Sequence, residues 1–212
     1  MNNVATTAAS VTTYAALNTF GRQDIVLSVG TAGGFSQRGA RVGDVFLSTK
    51  CVFHARRIPE TTKAVDGDQN TSCNTLEEYG FGHFRSPNLM GLARSANLKL
   101  GVVTTSDSLD CTERDMELMM SEGATVKEME AASVAWVCHH ANIPFVAIKV
   151  ISDIVDEPQG DNDKQDSEQD RTRDMFEKNF DCAVDSLKEK VGKVLKLLDH
   201  AKLSELGQIR LT

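Results

Sequence analysis

The sequence predicts an α/β protein in three layers, a mostly parallel central sheet with helices flanking both faces. Three observations predict it. Apolar, β-branched runs at 24–29 and 145–151 read as strands buried on both faces. Segments with helical spacing separate the strands, the alternation that builds a parallel sheet under a cover of helices. Several strands also end in glycines or acids, at the sheet edge where α/β proteins bind ligands.

Each element follows from local composition. Residues 4–20 (VATTAASVTTYAALNTF) are small and apolar at helical spacing, and Gly21 ends that helix. The strand at 24–29 runs into Gly30-Thr31-Ala32-Gly33-Gly34-Phe35. Glycines there permit close backbone approach to a ligand. Their spacing fits neither a dinucleotide nor a P-loop pattern, so a glycine turn is the plain expectation. A strand over 43–53 precedes His54, Arg56 and Arg57, which either line a pocket or sit in a surface ion pair, the second being favoured. Residues 60–74 are polar and turn-rich, a solvated excursion. A helix over 87–96, a strand over 98–104, a polar strand end at 105–110 and a helix over 112–121 come next. Thr112 and Asp115 stand at capping-box spacing.

The stretch from Lys127 to Asp156 is the most informative. Glu128 and Glu130 flank Met129 at what reads as the mouth of a helix over 131–141, which Asn142 and Pro144 stop. The strand at 145–151 then ends in Ser152-Asp153. Residues 157–170 are acidic, and Asp161, Asp163 and Asp166 lack the glycine and terminal glutamate of a calcium loop, so a solvated loop is expected. A helix over 173–200 places Phe176, Phe180, Ala183, Leu187, Val191, Val194 and Leu198 on one face for docking on the sheet. Residues 1–200 read as a single domain and 201–212 as a tail.

Composition narrows the function classes. At 212 residues, 41% hydrophobic and 25% charged, the chain has enough apolar residues for one real core. A net charge of −7 argues against a nucleic-acid partner, which needs a basic face. No apolar run is long enough to span a bilayer, and the first twenty residues lack a signal-peptide pattern. Five scattered cysteines without a CxxC pair read as reduced thiols, hence a cytoplasmic protein. Cys138, His139 and His140 lack zinc-ligand spacing, so no metal is expected.

Taken singly, Glu130 is a first-turn acid favoured by the helix dipole and Asp153 a strand-end cap. Together with the other motifs they carry a resemblance. Glu128-Met129-Glu130-Ala131, the glycine stretch from Gly30 to Phe35, Gly43-Asp44-Val45 and Ile151-Ser152-Asp153-Ile154-Val155-Asp156 resemble the methylthioadenosine/S-adenosylhomocysteine nucleosidases. These belong to the nucleoside phosphorylase superfamily. The similarity runs in register over about 4–198, apart from the polar excursions at 61–74 and 160–170. The segment 105–110 most resembles the plant-type branch.

The resemblance implies hydrolysis of the N-glycosidic bond between adenine and a 5′-thio-substituted ribose, the reaction of methionine salvage, with no cofactor. Asp153 matches the acid that protonates purine N7, a role that needs a raised pKa. Glu130 matches the carboxylate that grips the ribose 2′- and 3′-hydroxyls, and Met129 the methionine packed on the ribose. Thr31 stands near the attacking water, and Ser152 beside the acid. Leu109 matches the adenine slot, and Phe176 the aromatic that closes the 5′-alkylthio side. Family members are commonly homodimers, and 53–57 with 81–84 is where that contact is expected.

One departure stands out. The family opens with a strand and a Gly-x-Met-x-x-Glu turn whose glutamate activates water, whereas the first glutamate here is Glu60. The expectation is a chain lacking the first strands, N-terminally incomplete or weakly active, with open sheet edges. Two alternatives stay open. One is a purine or uridine nucleoside phosphorylase, disfavoured by Ser28 where phosphorolytic relatives often carry arginine. The other is a nonenzymatic nucleoside-binding relative.

Overall fold

The computed structural model describes residues 4–21, 23–56, 82–156, 168–199 and 201–202. Helix and strand alternate as expected: α1 (Thr6–Phe20), β1 (Val26–Gly34), a 3-10 turn (Ser36–Arg38), β2 (Val45–Phe53), β3 (Phe84–Arg85), α2 (Met90–Ala96) and β4 (Lys99–Thr105). There follow α3 (Glu113–Ser121), β5 (Ala124–Glu128), α4 (Ala131–His140), β6 (Phe145–Ile154) and α5 (Glu168–Leu198).

The sheet is mixed, which corrects the mostly parallel expectation. Pairs β1–β6, β2–β4 and β4–β5 are parallel, while β1–β5, β2–β3 and β2–β6 are antiparallel. The strand order is β3-β2-β4-β5-β1-β6, and the extra β2–β6 pairing closes β2, β4, β5, β1 and β6 into a ring. The edge at which ligands were expected is therefore the mouth of a closed sheet. Closure needs strong local twist, and each parallel pair has a register shift that supplies it: at Ala32/Gly33, Ser48/Lys50 and Val102/Val103.

Both faces of β6 and most of β2 are buried, whereas β1, expected to be buried on both faces, is only half-buried over 26–31, with Val29 45% exposed. Along β2 and β6 the residues alternate between two cores. Val45, Leu47, Val146, Ile148 and Val150 join Leu92, Ala183, Leu187 and Val194 of α2 and α5. Phe46, Cys51, Phe53, Phe145, Ala147 and Ile151 join Ala9 of α1 and Ala131, Ala132, Ala135 and Cys138 of α4. This period of two is the sequence-level cause of the layered build. Phe176 and Phe180 stack on one another on α5, with ring centroids 5.2 Å apart.

Several boundaries differ from expectation for physical reasons. β1 continues through Gly33 and Gly34, so the glycines are strand and not turn. They are there because a Cβ on Gly33 would lie 2.6 Å from Val155 Cγ2, and one on Gly34 would lie 2.8 Å from both Ala40 Cβ and Ile151 Cγ2. β6 likewise runs on to Ile154, which places Ser152 and Asp153 inside its last turn of pairing. No strand is expected over 124–128, where only the helix mouth beginning at Glu128 is read, and these five residues form one because β4 and β1 pair with them from either side. α5 begins at Glu168, so residues 168–170 belong to it. The rest of the second polar excursion, the first excursion at 61–74, and Arg57, Cys73 and Phe81 lie outside the described residues, as do 203–212.

Caps hold as read. Thr112 and Asp115 form a reciprocal capping box at the start of α3. Asn142 (φ 54°) ends α4 in the left-handed region, ahead of Pro144. No described helix is long and apolar enough to cross a membrane.

Candidate active site

Four strand tips meet in one row. Thr105 of β4 pairs with Glu128 of β5; Gly33 of β1 pairs with Lys127 of β5 on one side and with Asp153 of β6 on the other. β1 and β5 overlap only at their carboxyl ends, so the antiparallel pair brings polar tips together head-on. The register shift skips Ser152, pairing Ala32 with Ile151 and Gly33 with Asp153. One extra residue in a strand reverses which face its side chains occupy. Asp153 therefore stands on the face of Gly33 and Lys127, opposite to that of Ile151 and Lys149. The glycine contacts agree: Gly30 is approached by Lys149 Nζ and Gly34 by Ile151, but Gly33 by Asp153.

Asp153 is 9% exposed. Ser152 Oγ is 2.7 Å from its Oδ1 and 3.2 Å from the carbonyl oxygen of Ala32. A hydroxyl so placed suits both protonation states. It donates to the carboxylate, or it accepts from the acid while donating to Ala32. Burial pushes the Asp153 pKa up, and neither the Ser152 hydrogen bond nor the charge of Lys127 restores it. Asn179 of α5 donates to the Ser152 carbonyl at 3.0 Å, fixing the helix against this strand end. Phe176 lies one turn earlier on α5 and is half-buried.

Glu128, which as a sequence feature gave only a helix-mouth acid, is the most fully engaged group in the site. Its side chain and that of Lys149 are 2% and 3% exposed and pair at 2.9 Å. It accepts from the Thr105 hydroxyl, from the Glu130 N–H at 2.9 Å, and from the Ala131 N–H at 2.8 and 2.9 Å on its two oxygens. Thr105 Oγ1 accepts in turn from the Ala132 N–H at 2.9 Å, so the open first turn of α4 is capped across the strands. Burial alone would raise this pKa, but Lys149, Thr105 and the Glu130 N–H together hold it below the usual range.

Glu130 is the N-cap residue of α4 and half-buried. Its Oε1 accepts from the backbone N–H of Ala5 at 2.9 Å, and the Met129 N–H also hydrogen-bonds its carboxylate. Burial raises its pKa against that hydrogen bond, and the nearby Glu128 charge adds to the rise. Ala5 has φ 77° and ψ 174°, a strained conformation for any residue with a Cβ. It is held there because Asp107 caps the next residue, accepting from Thr6 N at 2.7 Å and from Thr6 Oγ1 at 2.9 Å. Met129 is half-buried between the two glutamates, and Thr31 is half-buried on β1 opposite Val150. Leu109 is 54% exposed on the loop after β4, and its carbonyl accepts from Lys127.

The structure thus gathers Asp153, Ser152, Glu130 and Met129 at the strand tips, with Leu109 tied to them through Lys127. Sequence reasoning read Thr105 only as part of a polar strand end and missed Lys149, Lys127 and Asn179. A lysine inside the apolar run VAIKVIS was the visible signal for Lys149, since a strand buried on both faces does not keep an unpaired ammonium.

A ring-closed mixed sheet with paired acids at its mouth defines a class, and the comparisons agree: a family model for the Phosphorylase superfamily matches residues 2–188. Within it, the chain is 34% identical over 209 residues to the 5′-methylthioadenosine nucleosidase of Arabidopsis thaliana, covering 97% of this chain and 68% of the relative. It is equally 34% identical to the 5′-methylthioadenosine/S-adenosylhomocysteine nucleosidase of the same plant, covering 71% of that protein. The apo structure of the Arabidopsis methylthioadenosine nucleosidase superposes with a TM-score of 0.81 at 32% identity, over 97% of this chain and 74% of that one. The chain belongs to the methylthioadenosine/S-adenosylhomocysteine nucleosidase family, and its nearest likeness among these relatives is to the plant proteins. The same fold occurs, at 21% identity and a TM-score of 0.67, in the Neisseria meningitidis nucleosidase bound to methylthio-immucillin-A, over 92% of this chain and 78% of that one.

Proposed function

We propose that this chain acts on methylthioadenosine, and on S-adenosylhomocysteine in second place, as an adenine nucleoside N-glycosidase of methionine salvage in the cytoplasm. The observation that carries the reading is Asp153, a buried acid whose surroundings favour its protonated form at a strand tip built for close approach. In this reading Asp153 gives its proton to purine N7, and the glycosidic electron pair leaves with adenine. Water then adds to the ribosyl cation at C1′. The Glu130 carboxylate accepts from the ribose diol, and Met129 packs on the sugar. Ser152 holds the acid in either protonation state, and Thr31 lies near the water. Leu109 covers the base, and Phe176 closes the alkylthio side.

Water activation is the weak part of the constellation. Glu128 would have to break its ion pair with Lys149 to serve as a base, and Glu130 is the diol ligand. Slow turnover by the 212-residue chain is therefore expected. Hydrolysis is preferred over phosphorolysis because Ser28 is uncharged, and Arg38 donates to the Met120 carbonyl at 3.2 Å. The test is adenine release from methylthioadenosine by the full chain, with and without phosphate. Release that ignores phosphate and disappears in Asp153→Asn supports the reading. Strict phosphate dependence with ribose-1-phosphate as product favours a phosphorylase. Binding without turnover in parent and variant alike favours a nonenzymatic nucleoside binder.

A homodimer is proposed to form over the aromatic patch at Phe53, Arg56 and Phe84. The Arg56 guanidinium lies 3.7 Å from the Phe53 ring centroid and 4.1 Å from that of Trp136, with Phe84 edge-on to Phe53. Phe53 is buried beneath the stack, so the half-buried Arg56 and Phe84 are the residues that would present it to a partner. A monomer in sedimentation equilibrium would contradict it.

A further inference from the structure

The two lysines of the site stand on opposite faces of the row. Lys149 is committed to Glu128. Among the described residues no carboxylate touches Lys127: its ammonium donates to the carbonyl oxygens of Ser108, at 3.1 Å, and Leu109. It is nevertheless 6% exposed. A buried ammonium held on loop carbonyls needs a negative counter-charge nearby. The row supplies one, because Lys127 and Asp153 flank Gly33 on the same face. A Cβ on Gly33 would meet Val155 Cγ2 at 2.6 Å and Asp153 Oδ2 at 2.9 Å, so only a glycine fits beside the acid at this register.

We propose that Lys127 is a positioning residue that couples the loop over the base slot to the acid: its ammonium pins Ser108 and Leu109, and it is the fixed counter-charge of Asp153 across Gly33. The coupling is a feature of the fold, and its catalytic consequence rests on the nucleosidase reading. When Asp153 hands its proton to the departing base, the carboxylate left behind faces an ammonium that is already in place. The cost of reorganising charge at that moment is thereby reduced. The same ammonium holds the loop that carries Leu109, so base docking and acid strength are set by one side chain. The other groups facing Lys127 are Asp110 and Cys111 of the loop and Asp115 of α3, while Asp153 faces Ser152 and Lys127. Burial lowers the Lys127 pKa, and these neighbours raise it in part.

The test is carboxyl 13C NMR titration of Asp153 in the full chain, assigned through Asp153→Asn, in the parent, Lys127→Met and Lys127→Arg. Loss of the ammonium should move the Asp153 titration to higher pH, and Lys127→Arg should leave it near the parent's. An unmoved titration in Lys127→Met overturns the proposal, as does a Lys127→Arg titration that follows Lys127→Met. If Lys127→Met does not fold, the reciprocal shift decides. Asp153→Asn should move the Lys127 side-chain titration to lower pH, and an unchanged value overturns the coupling. Neither readout depends on turnover. Failure of the nucleosidase reading would show separately, as absent adenine release with the coupling intact.

Discussion

Glu128 and Asp153 are both buried carboxylates at neighbouring strand tips, and their proton affinities move in opposite directions. Glu128 has an ammonium at 2.9 Å, a threonine hydroxyl and backbone N–H groups on both oxygens, so its charged form outlasts its burial. Asp153 has one hydroxyl and a lysine whose hydrogen bonds go elsewhere, so burial prevails and its pKa is raised. Depth does not separate a structural acid from a reactive one. The number of donors does. The register shift at Ala32/Gly33 is what separates the two systems, by turning Asp153 onto the face that Glu128 does not use.

The largest effect should come from Asp153→Asn, which keeps the shape but removes the proton. Any adenine release by the parent should fall by about 10²–10⁴-fold, the usual share of general acid catalysis. Steady-state assay against methylthioadenosine would show it, and parent-like release would remove Asp153 from the mechanism. Glu128→Gln should come next, through stability. It leaves Lys149 buried and unpaired, a loss of about 3–5 kcal/mol by denaturant unfolding. The double variant Glu128→Gln/Lys149→Met should regain most of that, and a double variant as weak as the single would contradict the pairing account. Gly33→Ala should cost about 1–3 kcal/mol, because the new methyl meets Val155 and Asp153. It should also disturb the acid, so activity should fall further than stability explains. The smallest effect should be a gain: Ala5→Gly relieves a positive φ and should raise stability by about 1 kcal/mol while keeping the N–H to Glu130.

The sequence disclosed the elements and two of the acids, because those signals are local. A glycine stretch after a strand, an acid at the end of an apolar run and an acid before a helix can each be read in place. What stayed hidden depends on register. β5 has five residues, two of them charged, and becomes a strand only because β4 and β1 pair with its tip. The Glu128–Lys149 pair joins residues from different strands, so the run KEMEA could disclose only a helix mouth. Ring closure was invisible for the same reason, since three local shifts add up to a β2–β6 contact that no single stretch encodes. The Ala5 N–H bonded to Glu130 belongs to the backbone and leaves no mark in residue type.

The contrast between the two acids is tested most directly by denaturant unfolding of Asp153→Asn and Glu128→Gln as a function of pH. Asp153 has a raised folded pKa, so its ionisation costs stability above the ordinary aspartate range, and the cost vanishes once pH falls below it. Glu128 has a lowered one, so its contribution is full above the ordinary glutamate range and is lost as pH falls through its folded value. At neutral pH, Asp153→Asn should therefore be more stable than the parent and Glu128→Gln less stable, with both differences shrinking in acid. Two variants shifted in the same direction at neutral pH would contradict the assignment of one acid to structure and the other to chemistry.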